Sequence, residues 1–335
     1  MASSLFVLFV ASASFLQAHS PTPTPTPSPQ ATHSASPSPS PSVTPTPSAS
    51  PSPLPSGSEV ASPAPSVAGS SPELTELMSQ AEAHFARRSV GAVDDIASPR
   101  EVDEAIGLYR KAVALAPGNF EILTKLMRAL HFRGAYTGAS IEEKKVIFEE
   151  GRKLGQDAVD KLEASAKAAK GMSRIESLRL VKGAPGLYIW TAGHWGEWAL
   201  VRGKMASVKS GIAGRLRDLS QTVIDLDPLF EDAAGYRLLG RLHAEAPRIP
   251  FITGWVSHDK GVALLRKSYQ ANPHHPVTLY FLAEAILDYQ PEKRAEGLRL
   301  LEQCMALTPR PETPLEDARY MKMAAKRLEK EKSGS

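Results

Sequence analysis

EVDEAIGLYRKAVALAP, residues 101–117, decides the fold of this chain. Ala105, Tyr109 and Ala112 recur at helical spacing and share one face, and Pro117 stops the helix five residues later. A small–bulky–small face suits one helix of a close-packed hairpin. The small side chains admit a second helix, and the bulky one fills the groove between the two. The same steps recur at Gly261, Leu265, Ser268 and Pro273, and again at Gly297, Leu301, Cys304 and Pro309. Leu216, Ser220, Val223 and Pro228 form a weaker copy with the sizes altered.

Working outward, hydrophobic periodicity predicts helices over about 73–89, 101–116, 119–133, 141–165, 186–204, 207–226, 231–246, 258–271, 276–289, 292–307 and 315–331. No stretch alternates with period two for long enough to be a strand. Residues 166–185, with Gly171, Gly183 and Pro185, read as an insertion holding one short helical turn near 175–181. Its basic run, Lys167, Lys170, Arg174, Arg179 and Lys182, reads as a solvated loop. The expected fold is all-α: antiparallel helix hairpins stacked over 73–331, with a short disordered tail at 332–335.

The N-terminal part is of another kind. Residues 21–72 hold 16 of the 28 prolines, no aromatic residue, no Lys or Arg, and one acid, Glu59. Such a segment cannot bury a core, and 19–72 is expected to be a disordered Pro/Ser/Thr-rich tether, extended at about 3.1 Å per residue where it adopts polyproline II. The apolar run Leu5–Leu16 is short against the roughly 20 residues that span a bilayer, and it fits a secretory leader over 1–18, cleaved after Ala13, where Ala11-Ser12-Ala13 is small-x-small, or after Ala18, where Leu16 fits the outer position less well. No cysteine stands nearby to carry a lipid. Export to the periplasm or cell envelope, not as a lipoprotein, is the expectation.

Charge and cysteine narrow the function. The 39 basic residues all follow residue 72 and face 35 of the 36 acids, so the surface is mixed in sign and offers no concentrated basic face for nucleic acid. Cys304 is the single cysteine, which excludes disulfides within the chain and Cys-ligated metal clusters; its place in the repeat reads as core.

The four-residue pattern resembles the tetratricopeptide repeat (TPR), whose second helix carries small, aromatic, small and proline at these offsets. Tyr236, Leu239 and Gly240 match the spacing of a first helix. The order of LMSQAEAHFARRS, EVDEAIGLYRKAVALAPGNFEILTKLMRAL, LYIWTAGHWGEW, IDLDPLFEDAAGYRLLGRLHAEAP and NPHHPVTLYFLAEAIL is similar to the TatT-like T component of TRAP transporters. That resemblance implies a periplasmic, oligomeric accessory that contacts a soluble solute-binding protein and offers an apolar path to a small carboxylate. The lipid-bearing cysteine frequent in that family is absent here.

No HExxH, glycine-rich phosphate loop or nucleophile elbow is present, so no catalytic, cofactor or metal residues are assigned and a non-enzymatic binding protein is expected. Three groups are candidates for ligand binding. Trp190, His194 and Trp198 lie along one helical stripe, with Trp195 offset from it, and form either core packing or the aromatic wall of a cavity. Tyr236, Arg237 and Arg241 sit on a first helix. The two guanidinium groups either converge on one carboxylate or pair with Asp232, Glu245 or Glu284. PRIPFITGW, 247–255, makes a stiff lip whose Phe251 and Trp255 cap a groove, form an oligomer contact or pack on the end of their own hairpin. His274 and His275 precede Pro276 and read as a solvated turn. The main functional expectation is a TatT-like accessory that docks a solute-binding protein or shelters a small apolar carboxylate. The alternative is a general TPR scaffold for protein partners in the cell envelope.

Overall fold

The computed structural model describes residues 71–203 and 211–333. The expected leader and nearly all of the Pro-rich tether, and the start of the helix expected from residue 207, lie outside the described residues. Twelve α-helices follow one another among the described residues: α1 (Pro72–Ala86), α2 (Pro99–Leu115), α3 (Phe120–Tyr136), α4 (Ile141–Ala168), α5 (Arg174–Arg179), α6 (Ala184–Arg202), α7 (Ile212–Leu226), α8 (Phe230–Glu245), α9 (His258–Ala271), α10 (Pro276–Tyr289), α11 (Arg294–Met305) and α12 (Pro314–Ser333). The one extended pairing described is an isolated bridge between Val93 and Ile96.

Local chemistry sets the starts. Ser71 and Ser98 cap α1 and α2 ahead of Pro72 and Pro99, whose missing N–H would be unpaired there anyway. Ser140 with Glu143, and Ser173 with Glu176, close reciprocal capping boxes on α4 and α5.

The small residues of the repeat stand where consecutive helices touch. A Cβ added to Gly261 of α9 would lie 3.0 Å from the Gly240 carbonyl oxygen of α8, and one added to Gly240 would lie 3.0 Å from the Gly261 oxygen. Gly235 presses on the Ser220 carbonyl of α7, and Gly297 of α11 on Leu287 of α10. Ala105, Tyr109 and Ala112, like Leu265, Ser268, Leu301 and Cys304, are buried. The expected stack of antiparallel hairpins is therefore present.

The inner row departs from an open array. Helices α3, α6, α8, α10 and α12 touch in succession. Burial runs unbroken from Gly186 to Glu197, from Arg237 to Ala244 and from Pro276 to Ala283, so these helices are covered on every side. The cover is completed by α12, which returns to the first hairpins. Arg88, just after α1, pairs with Glu316 at 2.7 Å, and Arg319 donates to the Ala135 carbonyl at 2.8 Å while stacking 3.7 Å above the Tyr136 ring. The row closes into a circuit. Inner helices this apolar need cover on their inner side as well.

Candidate functional site

Closing the circuit turns polar side chains toward its axis. One group is paired within itself, with only Arg241 Nε left without a hydrogen-bond partner among its own contacts. Arg241 bonds Glu284 at 2.8 Å and Glu245 at 3.0 Å, and the Tyr280 hydroxyl donates to Glu284 at 2.6 Å. The two guanidinium groups expected to converge do not. Arg237 is spent on backbone, donating to the Asp232 carbonyl at 3.0 Å and the Glu231 carbonyl at 3.2 Å, and burial lowers its pKa to about 10. Tyr236 is half-buried under the Lys267 ammonium, 5.1 Å from its ring.

The carbonyls held by Arg237 belong to an unusual turn. Glu231, Asp232 and Ala233 have φ of 45°, 56° and 58°, three successive left-handed residues with no glycine among them. Each costs about 1–2 kcal/mol against the right-handed form. The turn aims the Glu231 carboxylate at the axis, where burial pushes its pKa up to about 7 against the pull of Arg128 and Arg237. Arg128 faces it from α3 and the Trp190 N–H from α6, and the paired Arg88 and Glu316 adjoin Arg128 in turn.

Trp190 and His194 are both buried. The Trp190 ring meets His131 edge-on at 5.5 Å. His194 Nε2 lies 2.8 Å from the Met127 carbonyl and so carries the proton, and burial, with His131 second, lowers its pKa to about 3. The ring occupies space left by Gly151, where a Cβ would lie 2.2 Å from it. Trp198 is partly buried between Arg152 and Arg202, and Trp195 packs against it at 5.7 Å, so the offset indole joins the cluster after all. Because α6 is covered all round, the stripe does not mark one cavity wall.

The 247–255 loop divides its two aromatics. Trp255 packs edge-on to His243 at 5.2 Å, with Arg217 over its face at 4.9 Å, so it closes the end of its own hairpin. Phe251 is fully exposed at 106% and has φ +64°, and Ile252 beside it is 50% exposed. The loop is nevertheless fixed. The Thr253 hydroxyl accepts from the Ile249 N–H at 2.8 Å and donates to the Pro247 carbonyl, while the Thr253 N–H donates to the Ile249 carbonyl at 2.8 Å.

His275 differs from expectation. It is buried and caps α10 by accepting from the Thr278 N–H, with burial holding its pKa well below the usual value; His274 alone is exposed. Cys304 is core, its thiol pushed up to about 12 by burial. Sequence reasoning missed Arg128 and Glu231. An arginine inside the apolar run LTKLMRALHF was the available signal for the first. Nothing local announces a left-handed turn in PLFEDAAGY.

No protein-family model and no curated protein matches the chain. Among solved structures it is similar to the TPR2AB-domain:pHSP90 complex of yeast Sti1, with a TM-score of 0.28 and 14% identity over 77% of this chain and 97% of that one. It is also similar to yeast Tom70, with a TM-score of 0.27 and 13% identity over 79% of this chain and 66% of that one. Scores at this level carry no argument about binding.

Proposed function

We propose that this chain is a non-enzymatic, exported binding protein of the helix-hairpin kind that docks a protein partner through the 247–255 loop. Phe251 carries the reading. A phenylalanine that is fully exposed, held in the left-handed region and locked by the Thr253 bonds gives up both burial and backbone comfort in the free protein. Docking into an apolar pocket of a partner recovers the burial, and the exposed Arg248 beside it suits an acidic rim. A photo-crosslinking residue placed at 251 in the full chain tests this in envelope extracts. Crosslinks to one partner protein at 251, and none from the exposed Val146, are expected; equal yields at both positions would refute it.

A narrower reading makes the partner a TRAP-type solute-binding protein, supported by the order of sequence segments shared with the TatT-like T component. Biolayer interferometry with such a protein from the same organism checks it: saturable binding lost in Phe251→Asp is expected, and no binding would leave the broader scaffold role alone.

A further inference from the structure

Five side chains from three helices alternate cation and ring: Arg202, Trp198, Arg152, Trp195 and Arg215. Arg202 stands 5.3 Å from the Trp198 ring. Arg152 lies between the indoles, 5.3 Å from Trp198 and 4.5 Å from Trp195, and Arg215 ends the series 4.9 Å from Trp195. Both indoles and Arg202 come from α6, Arg152 from α4 and Arg215 from α7. A guanidinium group over an indole spends its face on the ring and keeps its N–H edges for hydrogen bonds.

The rungs are held in place. Gln156 Oε1 accepts from Trp195 Nε1 at 3.0 Å and from Arg215 Nη1 at 2.7 Å, and Glu149 takes Arg152 through two bonds of 2.9 and 2.7 Å. The central cation is thereby neutralised, but the outer two are not. Arg202 and Arg215 are exposed, and neither closes an ion pair with a carboxylate among the described residues. Arg217 on the same helix α7 also sits over an indole, that of Trp255, yet it is paired with Asp218 at 2.8 Å. The ladder therefore presents two ordered guanidinium groups with free edges, and ordering them in advance removes much of the entropy that a partner would otherwise have to overcome.

The surroundings limit what can use them. Asp160 and Asp218, both exposed, line the same groove as Arg215. A membrane surface or a nucleic-acid duplex spreads negative charge broadly and would be pushed back by these carboxylates. A short chain that brings carboxylates to the two forks alone avoids them. The four ring-to-guanidinium steps, 5.3, 5.3, 4.5 and 4.9 Å, keep Arg202 and Arg215 within the reach of about six extended residues at roughly 3.3 Å each. Arginine edges match carboxylates two bonds at a time.

We propose that this ladder docks a short acidic segment of a protein partner, with carboxylates on the free edges of Arg202 and Arg215. The surface lies on other elements than the 247–255 loop and does not rest on that reading. Fluorescence anisotropy of the full chain with labelled hexapeptides, placing two glutamates at every spacing in a serine background, tests it. At least one spacing is expected to bind saturably, and its two-glutamine counterpart at least about tenfold more weakly. Arg202→Gln and Arg215→Gln should each weaken that binding about tenfold in a protein that still unfolds cooperatively. Arg100→Gln, which removes an exposed charge from α2, and Phe251→Asp should leave it within about twofold. No saturable binding at millimolar peptide, equal binding of the glutamine peptide, or an equal loss in Arg100→Gln would overturn the proposal. Tighter binding to phosphatidylserine vesicles than to any peptide would overturn it as well, in favour of a lipid-binding face.

Discussion

Arg88 and Glu316 are separated by 228 residues and meet at 2.7 Å, with 4% and 8% of their side chains exposed. Arg88 also donates to the Phe85 and Glu312 carbonyls, so its guanidinium joins the end of α1 to the start of α12. Removing one member of such a pair strands a buried charge. Glu316→Ala should cost about 3–5 kcal/mol in urea unfolding, and Arg88→Met combined with Glu316→Leu should recover most of that loss. Additive losses in the double variant would show that the pair does not act as a unit.

Two helix glycines, one closely packed and one with free space beside it, should respond in opposite directions. Gly151→Ala drives a methyl group into the His194 ring, which is enclosed by α3 and α4, and should destabilise by about 3 kcal/mol or more. Gly107→Ala meets nothing within 4 Å in the middle of α2 and should stabilise by about 0.5–1 kcal/mol. Chemical denaturation of both variants checks the contrast.

Glu231 makes the fold sensitive to alkali. Its folded-state pKa of about 7 lies above the ordinary 4.5, so the contribution of the protonated carboxyl is complete below about pH 4.5 and lost as the pH rises through 7. Glu231→Gln removes that dependence. Its stability relative to the parent should be higher at pH 8.5 than at pH 4.5 by up to about 3 kcal/mol. A difference that does not vary with pH in paired urea titrations would place the carboxylate in a solvated setting.

Phe251→Gly separates stability from docking. Glycine accepts φ +64° without penalty, and the fully exposed ring has no burial to lose. The variant should be more stable by up to about 1 kcal/mol while partner binding disappears. A destabilised variant would mean that the ring makes contacts in solution that hold the loop.

The hairpin stack was legible because close helix contact requires small residues at fixed spacing, and Gly261, Leu265 and Ser268 display that requirement directly. The stiff lip was legible too, since Pro247, Pro250 and Gly254 leave the chain few conformations. Which aromatic would face outward was not, because Trp255 is held by His243 and Arg217, whose positions depend on the neighbouring helices. The surroundings of Glu231 were illegible for a similar reason. Arg128 and Glu231, about a hundred residues apart in sequence, come together only through the packing of α3, α6 and α8, and the turn that orients Glu231 uses residues with no intrinsic preference for it. A helix buried on all sides, such as α6, also carries no single face from which to read a partner.

The return of α12 bears on how the protein is made. Contacts between residues 88 and 316, and between 135 and 319, cannot form until α12 has joined the helices that precede it. A nascent chain arrested before residue 314 keeps the apolar inner flanks of its early hairpins bare, a ready substrate for chaperones and proteases. Docking of α12 is then the event that converts a vulnerable intermediate into a protected one.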